Sequence, residues 1–142
     1  MKLKIYTGLI LSTTLFFCTD SINESAYNSF DLNDTLTIEY NQILYNEEED
    51  ISIKFESLVG DSRCAIDAIC VWEGDAEVKF SLKKNDTLFD FSLHTAKNYF
   101  STDTLILGYR VELIDIYPYP QSNVNYNLEE YSAKIIIIKP ED

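Results

Sequence analysis

Apolar and polar residues alternate with a period of two through most of this chain. That is the mark of half-buried β-strands, whose side chains point to opposite faces in turn. Leu36, Ile38 and Tyr40 alternate with Thr35, Thr37, Glu39 and Asn41, which predicts a strand running from Thr35 to Tyr45. Ile43 and Tyr45 follow in the opposite phase, so a bulge or bend is expected at Asn41-Gln42. The run Asn46-Glu47-Glu48-Glu49-Asp50 reads as a polar turn. Ile51, Ile53 and Phe55 then give the inward face of a second strand, Ile51 to Val59, expected to pair with the first as a hairpin.

The clearest amphipathic strand carries Ala76, Val78, Phe80 and Leu82 on one face. Asn85-Asp86 suits a tight turn, because both residues tolerate positive φ. The return strand is expected to turn Phe89, Phe91 and Leu93 inward. Lys97 to Asp103 reads as a loop, and Leu105 and Leu107 as a short strand ended by Gly108. Tyr109 to Tyr117 is a further strand. Its phase breaks at Ile114 and Ile116, which implies either a bulge or burial on both faces. Pro118-Tyr119-Pro120 ends it, since proline cannot donate to a ladder. After the Asn-rich loop Gln121 to Glu130, the chain closes on Tyr131 to Ile138. Ile135 to Ile138 is apolar on both faces, which predicts a central position. Seven or eight short strands at this spacing, with no helical period and no repeat, predict an all-β fold. The expected architecture is an antiparallel, immunoglobulin-like β-sandwich over residues 34–142, because each hairpin has one apolar face to bury.

Between two of these strands lies Asp61-Ser62-Arg63-Cys64-Ala65-Ile66-Asp67-Ala68-Ile69-Cys70-Val71-Trp72-Glu73-Gly74, with two of the chain's three cysteines and its one tryptophan. The third cysteine, Cys18, bears on how the other two are used. Lys2 and Lys4 precede an apolar run from Ile5 to Phe17, too short to span a bilayer and suited to a signal peptide over residues 1–17. A cysteine directly after such a run resembles the lipobox of bacterial lipoproteins, which implies lipidation of Cys18. The polar stretch 18–33 then reads as a flexible tether, with Ala26, Tyr27 and Phe30 near its far end as residues that could dock on the domain. With Cys18 lipidated, Cys64 and Cys70 remain as a pair in an oxidising compartment, and a disulfide between them is expected. Zinc is the alternative, disfavoured by the spacing and by the lack of further ligands.

Trp72 is expected to pack on the disulfide, with ligand stacking as the other reading. Gly74 fits a turn with positive φ. Asp61 is placed to accept backbone amides, and Arg63 to pair with Asp61, Glu73 or Asp75. The pattern D-S-R-C-x₅-C-x-W-x-G resembles one found in a group of uncharacterised bacterial secreted proteins and lipoproteins. The likeness extends over roughly Thr35 to Lys139. Ala65 and Glu73 depart from it, standing where proline and a small residue are frequent. The resemblance implies a β-rich exported domain and no activity.

The net charge is −13, and loss of Lys2 and Lys4 with a signal makes the exported form more acidic still. Such a surface repels nucleic acid and anionic lipid, so no nucleic-acid partner is expected. The acidic turn Glu47–Asp50 could attract calcium but lacks a calcium-loop spacing, so no metal or cofactor is assigned. His94, the single histidine, is read as a surface residue without a nucleophile or acid to complete a triad. Tyr117, Tyr119, Asn123 and Tyr126 form an aromatic and amide-rich stretch, the candidate ligand surface. The expectation is a non-enzymatic, lipid-anchored binding module of the bacterial envelope, an outer-membrane lipoprotein facing periplasm or surface. Its partner would be an envelope protein or a glycan. The alternative is an inhibitor or chaperone-like partner of an envelope enzyme that uses the cysteine loop as a wedge. A hydrolase stands third.

Overall fold

The structure, a computed structural model, describes residues 28–140. The predicted signal, Cys18 and the tether as far as Tyr27 lie outside the described residues. Eight strands form: β1 (Thr35–Glu39), β2 (Ile43–Asn46), β3 (Ile51–Asp61), β4 (Ala76–Lys84), β5 (Thr87–His94), β6 (Asp103–Ile106), β7 (Tyr109–Tyr117) and β8 (Ser132–Ile138). They make two antiparallel four-stranded sheets, ordered β1-β8-β7-β6 and β2-β3-β4-β5. The fold is therefore the expected all-β sandwich, immunoglobulin-like in its two stacked antiparallel sheets. Within each sheet consecutive strands follow one another as a meander, β2 to β5 and β6 to β8, while the β1–β2 and β5–β6 connections cross between the sheets and β1 pairs beside β8, unlike the Greek-key links of an immunoglobulin domain.

The inward residues of each strand fuse into one core. Ile38, Ile53, Phe55, Val78, Phe80, Leu82, Leu93, Val111, Ile116, Ala133, Ile135 and Ile137 are all fully shielded from solvent. Each large side chain among them contributes about 1.5–3 kcal/mol by leaving water. Between β1 and β2 the chain crosses from one sheet to the other. The reversed phase at Asn41-Gln42 is thus a sheet switch, not a bulge within one strand, and only the β2 part pairs with β3. Asn41 makes the corner at φ 62°. The break at Ile114 is a true bulge, between Leu113 and Asp115 in the β7–β8 ladder. It leaves Ile114 46% exposed, which rules out burial on both faces.

Two further expectations are corrected. Phe89 does not turn into the core: it is 46% exposed, as β5 is the outer strand of its sheet and faces the short β6. The last residues assigned to the tether belong to the domain. Phe30 is 6% exposed, and the segment beside it pairs in parallel with β2 at Ser29↔Tyr45. Phe30 N–H donates to the Tyr45 carbonyl at 2.9 Å, and Asn46 Nδ2 to the Phe30 carbonyl at 2.9 Å. The segment therefore covers an otherwise open sheet edge.

The two ends of the sandwich differ. At one end the turns are tight: Glu47–Asp50, Asn85-Asp86 and Leu107-Gly108, the last with φ of 51° and 84°. At the other end lie the long connections 62–75, 95–102 and 118–131, beside the short β1–β2 corner. β8 lies between β1 and β7, the central position that its apolar run predicts.

Candidate functional site

Arg63 organises the long-loop end. Its Nε and Nη2 donate to Asp61 Oδ1 and Oδ2 at 2.9 and 2.7 Å, a bidentate pair. Its Nη1 donates to the Ile116 carbonyl, and Nη2 also to that of Pro118 at 2.9 Å. The guanidinium sits 4.6 Å from the centre of the Tyr119 ring. Both charged side chains are buried, so the pair holds only because the fork is saturated with partners. The expected pairing with Asp61 is therefore present. Glu73 and Asp75 are not its partners, and Asp115 is 3.8 Å away. Asp61 also accepts the Arg63 backbone N–H at 3.2 Å, as its turn role required. In effect Arg63 bolts the end of β3 to the end of β7, one sheet to the other.

The disulfide is formed: Cys64 and Cys70 are joined, with Cα atoms 6.0 Å apart. Ser62 N–H to the Asp75 carbonyl (2.7 Å) and Cys64 N–H to the Glu73 carbonyl (2.9 Å) carry the β3–β4 ladder into the loop. Gly74 takes φ 73°, and a Cβ there would lie 2.0 Å from the Ser62 carbonyl oxygen. Only glycine fits. The loop also leans on the β7–β8 connection: Ile66 N–H reaches the Pro120 carbonyl at 3.0 Å, and Ser122 N–H reaches Asp67 Oδ1 at 2.9 Å. That Ser122 bond lowers the Asp67 pKa.

Asp75, which the sequence pattern did not single out as a hub, ties down the third loop. Its Oδ2 lies 2.7 Å from His94 Nδ1, and its Oδ1 accepts the backbone N–H groups of Thr95 and Ala96 at 3.0 Å each. Burial is the largest influence on its carboxyl and acts to raise the pKa. His94 and the amides together outweigh burial, and the net shift is downward. His94 is thus half-buried rather than a free surface residue, and Phe100 stacks on it with ring centres 4.6 Å apart. The one signal in the sequence was an acid directly before an alternating strand, too common to single out.

Trp72 corrects the sequence expectation. It is 55% exposed, and its ring meets Tyr99 edge-on at 6.5 Å. Ile66, Ile69 and Val71 of the same connection and Tyr99 and Phe100 of the 95–102 loop are exposed too, Ile69 and Val71 completely. The stapled loop therefore holds its large apolar side chains out to solvent. Hydrogen bonds and a covalent bond fix it from behind.

The candidate tyrosines divide. Tyr117 is exposed and meets Tyr119 edge-on at 5.7 Å. Tyr119 donates its hydroxyl to Asp115 at 2.8 and 2.9 Å, and burial together with that carboxylate raises its pKa. Tyr126 packs edge-on against Tyr131 at 6.2 Å and so serves the core. Asn123 is exposed, in a turn at φ 64°. Tyr117 and Tyr119 thus join the cysteine loop at one end, while Tyr126 serves the fold. The acidic turn lies at the opposite end, where Glu49 is engaged by Lys139 at 2.7 Å and by the Tyr109 hydroxyl at 2.7 Å.

A cleft of about 150 Å³ opens between the loops, lined by Arg63, Cys64, Glu73, Gly74, Thr95, Asp115 and Tyr119. Small-molecule sites usually enclose roughly 300–1,000 Å³, so this one suits a few waters better than an organic ligand. The projecting apolar tip, not the cleft, is the distinctive surface. Set beside known protein families, curated proteins and solved structures, the chain matches none of them.

Proposed function

We propose that this protein is a lipid-anchored, non-enzymatic binding module of the bacterial envelope, and that the long-loop end is its contact surface. One observation carries the reading. A disulfide-closed loop, braced by Arg63 and Asp75, holds Ile69, Val71 and Trp72 out to solvent. Large apolar side chains exposed together cost free energy in water unless a partner covers them. A braced loop loses little conformational freedom when it docks, which favours tight association. Beside the tight turns at the opposite end Leu88, Phe89 and Leu105 are exposed as well, but they sit on strands β5 and β6 and not on a disulfide-closed loop, so the staple is what supports recognition at the long-loop end.

The anchor is tested by metabolic labelling with a fatty acid. Label is expected on the wild type and absent from Cys18→Ala; equal labelling of both would remove the anchor from the proposal. The contact surface is tested by photo-crosslinking in living cells, with benzoylphenylalanine placed at Ile69 or at Asn85. Discrete adducts are expected from Ile69 alone. Equal patterns from the two positions would dismiss the loop end as the contact surface.

The second reading, an inhibitor or chaperone-like partner of an envelope enzyme, is favoured by the same exposure of Ile69 and Val71 on a closed loop. A loop of that shape can enter a cleft as a wedge. The adduct separates the readings: an enzyme cross-linked at its active-site cleft supports the inhibitor, and a glycan or structural protein supports the general module.

A further inference from the structure

We infer that the long-loop end docks a protein whose complementary surface is an apolar depression rimmed by lysine and arginine. The inference rests on the reading of that end as a contact surface and adds the chemistry of the occupant. The apolar part is Ile69, Val71 and Trp72, continued by Tyr99 against the Trp72 ring. The charged part follows from which acids are already spent. Asp61 is neutralised by Arg63, and Asp75 is engaged by His94 and two backbone amides.

Asp67 and Glu73 flank the apolar residues within the loop and are exposed. Asp67 is fixed toward the β7–β8 connection by the Ser122 amide, which also favours its ionised form. Lys97 is the exposed cation carried by the 95–102 loop, set against these acids and a chain charge of −13. An apolar tip with an acidic margin on an acidic molecule meets electrostatic repulsion at two surfaces that would otherwise cover it. One is a second copy of the same chain; the other is an anionic lipid face. A protein depression with a cationic rim meets none and gains in encounter rate.

The test uses the full-length, lipid-anchored protein in living cells, with benzoylphenylalanine in place of Val71. Adducts are compared between the wild-type background, Glu73→Lys and Asp67→Asn. The last keeps an acceptor for the Ser122 amide, and circular dichroism checks each fold. Mass spectrometry of the cross-linked peptide is expected to find an apolar residue beside lysine or arginine. Adduct yield is expected to fall roughly fivefold in Glu73→Lys. A yield indifferent to both substitutions overturns this inference and leaves the loop end as a contact surface. So does an adduct to a lipid, to a second copy of the chain or to an acidic peptide. Absence of any adduct from Val71, Ile69 and Tyr99 overturns the contact surface itself.

Discussion

Gly74 shows how one residue holds the loop. Its φ of 73° and the 2.0 Å approach of a Cβ to the Ser62 carbonyl act together. The obstructing atom is backbone, in the rung that starts the loop, so relief means breaking that rung. Gly74→Ala is expected to destabilise the domain by roughly 2–4 kcal/mol in urea denaturation. A change under about 0.5 kcal/mol would show that the loop can re-form without the turn. Asp75 makes a prediction in pH. Its folded pKa is depressed, so its bonds contribute fully above its unfolded value of about 3.9. The contribution is lost as pH falls through the folded value. The melting-temperature gap between wild type and Asp75→Asn is therefore expected to shrink as pH falls below about 4. A gap that widens as pH falls below about 4 would contradict the sign. Alternation could not have found this hub, because it registers which face a side chain takes and not which loop crosses above it.

At the scale of elements, β8 and β7 contrast two isoleucines that sequence treats alike. Ile135 is fully buried in the central strand, and Ile114 is half exposed at the bulge. Ile135→Ala is expected to cost about 2–5 kcal/mol, through lost burial and an unfilled cavity. Ile114→Ala should stay within about 0.5 kcal/mol. Equal losses in denaturant titrations would place the bulge elsewhere. The strand boundaries of β7 and β8 were legible because a long apolar alternation ended by proline leaves few choices. The switch between β1 and β2 was legible only as a broken phase. A one-residue shift turns side chains to the other face whether the strand bulges or leaves the sheet. Phe89 misled for a related reason: alternation marks a face as apolar, but burial depends on what lies opposite, and β5 is an outer strand.

Across the whole molecule, the net charge of −13 makes self-repulsion a standing cost to the compact state. The ion pairs Lys139–Glu49 and Arg110–Asp103 are partly exposed, and such pairs contribute about 0–1 kcal/mol. Screening them forfeits little, so added salt is expected to raise the melting temperature. A fall between low salt and about 0.5 M sodium chloride, where the Debye length is only several ångströms, would mean that the pairs outweigh the repulsion.

The amino-acid sequence alone determined the all-β class, most of the strands, the tight turns and the pairing of Cys64 with Cys70. These depend on local periodicity, on proline, glycine and asparagine, and on cysteine parity. The tertiary structure decided what no local pattern encodes: which strands share a sheet, that the segment at Phe30 closes an edge, and that three long loops meet at one end. It also decided the place of Trp72. A large aromatic beside a disulfide is equally compatible with burial and with display. Only the anchoring of the loop from behind, by Arg63 and Asp75, left the tryptophan and its apolar neighbours facing water.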